Sequence, residues 1–274
     1  MIIDELSNIL YLASGGIGTI FINQNQNIYK VLLIKNIYEN NINIYNLLKD
    51  KIPIVKLYNF FIYNISKINI RNINILEDVN NKKKYLDNFD ENNIKLYILE
   101  YQQMDTNLYH YIIKILENNN EITYKINFII YSIYMSLIFL LELQNYNICH
   151  NDFKLDNILI KNNDFKKEYI FYFLNNSIYI KNLFNYSFYL NDFDITQPLD
   201  STNKNNDFLN FKKKIIIFLN NYGNKLSNKE IKKVFKNIEN KLNKTENIDN
   251  VYNIWFKNSS TYKHLTESKT TIWS

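Results

Sequence analysis

The run FIIYSIYMSLIFLL at 128–141 leaves this chain little freedom, because it contains no charged or amide side chain and so has no face to give to water. A segment that is apolar all round is buried, either in a protein core or in lipid. This one stops at Glu142 after fourteen residues, short of the roughly 20 that span a bilayer. The expectation is a helix near 124–145 surrounded by other elements. With 46% apolar and 16% aromatic residues in a chain of 274, there is enough material for a real core, which argues against wholesale disorder. Length alone leaves one large domain or two smaller lobes open.

The composition is biased toward Asn, Ile, Lys and Tyr, with four glycines and only Pro53 and Pro198. This is the imprint of an AT-rich genome, such as that of a parasite or a virus, and a viral origin fits it. The bias weakens propensity arguments, because Asn stands where another genome would place Ser, Asp, Glu or Gly. The formal charge of +5 is mild and scattered, and the runs NKKKYL and FKKKII read as solvated surface, not as a nucleic-acid track. Cys149 is the sole cysteine, which excludes an internal disulfide and suits a reducing compartment. The N-terminus lacks the basic-then-apolar order of a signal peptide. A soluble intracellular protein is expected, without a membrane span or nucleic-acid partner: cytoplasmic, or in host cytoplasm or virion if viral.

Along the chain, TIFI and IYKVLLI flank the polar NQNQN and read as two strands and a turn. Residues 36–49 have roughly helical spacing, IPIVKLYNFFIY looks extended, and 66–92 reads as a polar inserted loop. IKLYILEY at 94–101 is a strand, helix is expected from 107 to 145, short strands follow within 178–195, and the chain from 204 is largely helical. Segregated strands and helices suggest an α+β protein with two lobes, 1–101 and 102–274.

Three of the four glycines, Gly15, Gly16 and Gly18, fall within four positions in LASGGIGTIF. Glycine there marks a tight turn or a close approach of the main chain to something bulky. Lys30 follows in IYKVLL. Directly after the apolar helix comes ICHNDFKLDNILI, with His150, Asp152, Lys154 and Asn157, and further on YLNDFDIT, with Asp192 and Phe193. Taken singly each reads plainly: a turn, a surface lysine, a structural histidine, an Asn-rich loop. Their joint order resembles the protein kinase superfamily, whose signatures are a glycine-rich loop, a β3 lysine, an H-R-D-L-x-x-x-N catalytic loop and D-F-G. The resemblance covers roughly residues 10–215.

It implies a bilobal protein-kinase-like fold, with a small strand-rich N-lobe and a mainly helical C-lobe. It implies ATP and Mg2+ as nucleotide and cofactor, and phosphoryl transfer to Ser or Thr hydroxyls of a protein substrate. Asp152 would orient the acceptor hydroxyl, Lys154 steady the transferring phosphoryl, and Asn157 and Asp192 offer hard oxygen ligands to magnesium. Ala13, Ser14, Gly15, Gly16, Gly18 and Ile20 would form the flap over the phosphates, with Lys30 on the α- and β-phosphates. Leu99 would be the gatekeeper, with Glu100 and Tyr101 beginning the hinge.

Four departures qualify the match. The Arg before the catalytic Asp is Asn151, which argues against switching by a phosphorylated activation loop. The D-F-G glycine is Asp194, a carboxylate that would tune magnesium binding. The helix carboxylate expected to pair with Lys30 falls at Asn41, with Glu39 the nearest acid, two residues away and so not on the same face. No A-P-E motif follows, although Asp207 resembles the aspartate that anchors the catalytic loop. Two alternatives stand beside the reduced Ser/Thr protein kinase: a small-molecule kinase of choline or aminoglycoside type, and a catalytically weak pseudokinase that acts as a binding module.

Overall fold

The computed structural model describes residues 9–14, 17–70, 72–83, 89–162, 168–173, 176–181 and 184–257, and within them the chain is mixed α+β. It divides into two compact units, one of Met1–Met104 with Asp192–Asp194, the other of Asp105–Asn191 with Ile195–Ser274. The first unit thus runs past Tyr101 to Met104, and it takes in three residues from far downstream that a linear division omits.

The first unit holds β1 (Leu10–Ser14), β2 (Gly18–Ile22), β3 (Ile28–Leu32), α1 (Lys35–Leu48), β4 (Leu57–Ile65), α2 (Ile73–Lys82) and β5 (Ile94–Tyr101). Its five strands form one antiparallel sheet in the order β1-β2-β3-β5-β4. Successive strand residues point to opposite faces, and the two faces are used differently. Tyr29 and Val31 of β3 and Ile94, Leu96 and Ile98 of β5 pack with Ile75 and Val79 of α2. Leu32, Tyr97 and Leu99, one residue out of phase, pack with Tyr38 of α1.

Helix α2 lies where the sequence suggested a loop. Its apolar positions are sparse, but Ile75 and Val79 stand one turn apart and are both buried. Asn72 caps it, its side chain accepting from the amides of Asn74 and Ile75. Asp78 and Lys82, also one turn apart, form a buried ion pair at 2.7 Å. The helix therefore buries a charged pair beside its short apolar stripe, which flattens the pattern a sequence reading depends on.

The second unit comprises β6 (Thr106–Asn107), α3 (Leu108–Glu117), α4 (Ile122–Asn145), β7 (Ile148–Cys149), β8 (Ile158–Asn162), β9 (Glu168–Phe173), β10 (Asn176–Lys181), β11 (Tyr186–Leu190), β12 (Gln197–Pro198), α5 (Asn206–Gly223) and α6 (Lys229–Lys244). A turn at Asp249–Val251 runs on into a π-helix, Tyr252–Lys257. Strands β11-β8-β6 form a small sheet, and β9 pairs with β10 and β7 with β12.

Helix α4 is the centre of this unit: from Phe128 to Leu143 every residue but Ile130 is buried. Phe128 meets the rings of Phe184 and Phe188, and Tyr134 meets Trp255 and Phe256. Ser132 and Ser136 donate back to the carbonyls of Phe128 and Ser132, one turn earlier, which satisfies their hydroxyls inside the core. Among the described residues α4 alone is long and apolar enough to cross a membrane, and 83% of its most apolar stretch is buried in the protein. It is the helix expected from the fourteen-residue run.

Candidate functional site

In the first unit, the β3 register puts Lys30 opposite Leu99, on the face that carries α1. The lysine is buried, and its ammonium donates to Asp192 Oδ1 at 2.7 Å and Asp194 Oδ1 at 2.5 Å. Asn41 of α1 donates to the same Asp194 oxygen at 2.9 Å, and its own oxygen accepts from the Tyr101 hydroxyl at 3.3 Å. Asn40 donates to the carbonyl of Phe193 at 2.8 Å. Asp192 has a φ of 66°, a left-handed conformation that Asp tolerates better than most residues.

Burial draws the Lys30 ammonium down, but Asp192 and Asp194 more than reverse this and hold its pKa above the ordinary lysine value. Two carboxylates share that one ammonium. Burial, against the pull of Lys30 and with the push of Asp192, leaves the Asp194 carboxyl above the usual range. The Tyr101 phenol is raised as well, by burial first and then by the charges of Asp194 and Asp192.

Other residues of the implied nucleotide set lie differently. Glu39, the candidate for pairing with Lys30, is exposed and pairs with Lys35 at 3.3 Å, while Asp192 and Asp194 pair with Lys30. Glu39 lies two residues from the inward-facing Asn41, on another side of the helix. Glu100 points to the face opposite Lys30, where Asn27, Tyr29 and Asn59 donate to its carboxylate at 2.6, 3.1 and 2.6 Å. Its side chain is a structural clamp in the sheet. Glu100 and Tyr101 are both paired on both sides within β5, so the sheet continues through the positions expected to begin a hinge.

Ala13 and Ser14 lie on β1, opposite Ile20 and Thr19 of β2. Gly15 and Gly16 lie outside the described residues. Gly18 pairs with Leu32, and a Cβ there would stand 2.8 Å from Leu32 Cδ2 and 3.0 Å from the Val31 carbonyl oxygen. Close packing of β2 on β3 is therefore sufficient reason for this glycine.

In the second unit, the loop between β7 and β8 carries the remaining candidates. Its start is anchored by α5: the backbone N–H of His150 donates to Asp207 Oδ2 at 2.5 Å. His150 is fully buried, and its Nε2 bonds the carbonyl of Asn191 at 2.9 Å. Asn151 takes a left-handed φ of 64° and donates to the Ile195 carbonyl. The loop then turns so that Lys154 Nζ reaches Asp152 Oδ2 at 2.5 Å. Asn157 donates to the backbone and side-chain oxygens of Asp152 at 2.9 and 3.2 Å.

Lys214, expected from the sequence to lie in a solvated run, donates to the other Asp152 oxygen at 3.3 Å. The signal was in the spacing. Asp207 and Lys214 are seven residues apart on α5, two helical turns, and so share the face that meets residues 150–152. Burial pushes the Asp152 carboxyl up, but Lys154 and then Lys214 outweigh it and hold the group below the ordinary aspartate range. At neutral pH it is an anion flanked by two cations, able to accept a hydrogen bond but a weak base.

Among the described residues no three His, Cys, Asp or Glu side chains cluster as a ready metal site. The oxygens on offer are of the right type for magnesium, which takes one or two protein ligands and completes its shell with water and phosphate. The Asp192 side chain is 35% exposed. Asn157 turns its amide hydrogens toward Asp152, which leaves its oxygen for another partner. No family model matches the chain, and no curated protein matches it.

Proposed function

We propose that this chain has a bilobal protein-kinase-like fold and transfers the γ-phosphoryl of ATP to Ser or Thr hydroxyls of a protein substrate. The observation that most supports the reading is the ion pair of Lys30 with Asp192, 162 residues apart in the chain. These are the two side chains that the resemblance assigns to nucleotide phosphate and to its cation, and they meet in one cluster of the first unit.

Phosphoryl transfer asks a protein for positioning and charge neutralisation more than for covalent chemistry. Lys30 would hold the α- and β-phosphates. Asp192, and Asn157 through its amide oxygen, would serve as ligands of magnesium, which when bound neutralises charge on the phosphates. Asp152, ionised and fixed by Lys154 and Asn157, would orient the acceptor hydroxyl and take its proton late, a role that suits a weak base. Lys154, which rests on Asp152, would be within the site to meet a phosphoryl oxygen.

The test is purified protein with γ-labelled ATP and magnesium, offered generic protein substrates, the chain itself, choline and aminoglycosides. Label on protein that is lost in Asp152→Asn is the expected result. A drop of at least about a hundredfold is the size expected for removing a positioned acid–base group. Label on a small alcohol assigns the chain to the small-molecule kinases, and nucleotide binding without transfer makes it a binding module.

A further inference from the structure

We propose that Asp194 is the positioning residue for Lys30, supplying from the segment after β11 the carboxylate that the kinase resemblance would put on α1. The proposal rests on the nucleotide reading above. A buried ammonium requires a counter-charge, since leaving one unpaired is strongly destabilising. Helix α1 has none to give: its one acid, Glu39, is exposed and engaged with Lys35, and the residue facing inward is the neutral Asn41. Among the described residues, the carboxylates that reach Lys30 are those of Asp192 and Asp194.

Those two carboxylates are not equivalent. The Asp192 side chain is 35% exposed and that of Asp194 only 7%. A divalent cation held by Asp192 would take up its charge, and Asp194 would then remain as the dedicated partner of Lys30. Asp194 is also held from α1. Tyr101 orients the Asn41 amide, Asn41 holds Asp194 Oδ1, and the same amide donates to the Ile37 carbonyl of its own helix.

The chain Tyr101–Asn41–Asp194–Lys30 exchanges the usual division of labour, with the helix giving an amide and the loop giving the charge. Two departures in the sequence thereby become one. An acid is absent at position 41 because one is present at 194, and acids at both, with Asp192, would crowd three carboxylates around a single ammonium.

The experiment measures phosphoryl transfer for Asp194→Gly, Asp194→Asn, and Asp194→Gly combined with Asn41→Glu, which returns the carboxylate to the helix. Each single variant is expected to lose about tenfold or more in kcat/KM for ATP, and the combined variant to recover to within about threefold of the parent. Parental kcat/KM in both single variants, or no recovery in the combined one, overturns the proposal. A second measurement needs no turnover: an unfolding cycle over Lys30→Met and Asp194→Asn is expected to show coupling of about tenfold or more in the unfolding constant. Additive effects overturn the pairing. If the parent chain transfers no phosphoryl group, the proposed function falls, and the unfolding cycle alone decides whether Asp194 holds Lys30.

Discussion

Glu142 ends the apolar run of α4 and is 3% exposed, a carboxyl inside the most buried helix of the second unit. Burial lifts its pKa from 4.5 to about 7, against a smaller downward pull from a hydrogen bond with Asn145. Each tenfold change in proton affinity is worth about 1.4 kcal/mol. Holding Glu142 ionised in the fold therefore costs roughly 3 kcal/mol relative to the unfolded chain. The sign follows from proton binding. Between pH 4.5 and 7 the folded state binds the proton more tightly than the unfolded state, so stability falls as pH rises and levels off above 7. Glu142→Gln keeps the shape and removes the charge. Urea unfolding followed by the fluorescence of Trp255, buried in the same unit, would be measured for parent and variant from pH 4.5 to 8. The variant is expected to gain about 3 kcal/mol over the parent across that range, and the groups common to both cancel in the difference. Parallel pH profiles would show that Glu142 finds its charge compensated in the fold, and the burial argument would fail.

Two further outcomes follow from contacts in the two units. Gly18→Ala forces a methyl against Leu32 and the Val31 carbonyl, and thermal unfolding should show a loss of about 1–3 kcal/mol; an unchanged melting temperature would mean β2 and β3 part easily. Lys214→Ala removes one of the two cations that depress the Asp152 pKa, so the acid limb of the kcat/KM profile should move to higher pH with only a severalfold change at its plateau. An unmoved limb would show that Lys154 alone sets the ionisation of Asp152.

The parts of the fold that were legible in the sequence are those whose pattern survives the Asn bias. Helix α4 needs no period, only an unbroken apolar run, and β5 follows from LYILEY. Helix α2 has no clear apolar period in the sequence because its inward face mixes Ile75 and Val79 with the ion pair of Asp78 and Lys82. Its start signal was an Asn, one of so many in this chain that the cap carried little information. Where a residue type is everywhere, its presence at a cap no longer marks one.

The candidate site divides along a similar line. Asp152, Lys154 and Asn157 are close in sequence, and a single short loop brings them together, so the motif resemblance named a set that the fold does gather. The environment of Lys30 could not be read this way. Its partners lie more than 160 residues away; the sequence puts Asn41 at the position facing it and offers on α1 only Glu39, off that face. The backbone of the helix fixes which residue faces inward, and that residue is Asn41. Once the inward position is an amide, a buried ammonium obliges some other element to bring the negative charge. Asp194 meets that requirement, with its carboxylate on the Lys30 ammonium. Positions 41 and 194 are therefore best read together, because the amide of Asn41 and the ammonium of Lys30 meet on the same Asp194 oxygen.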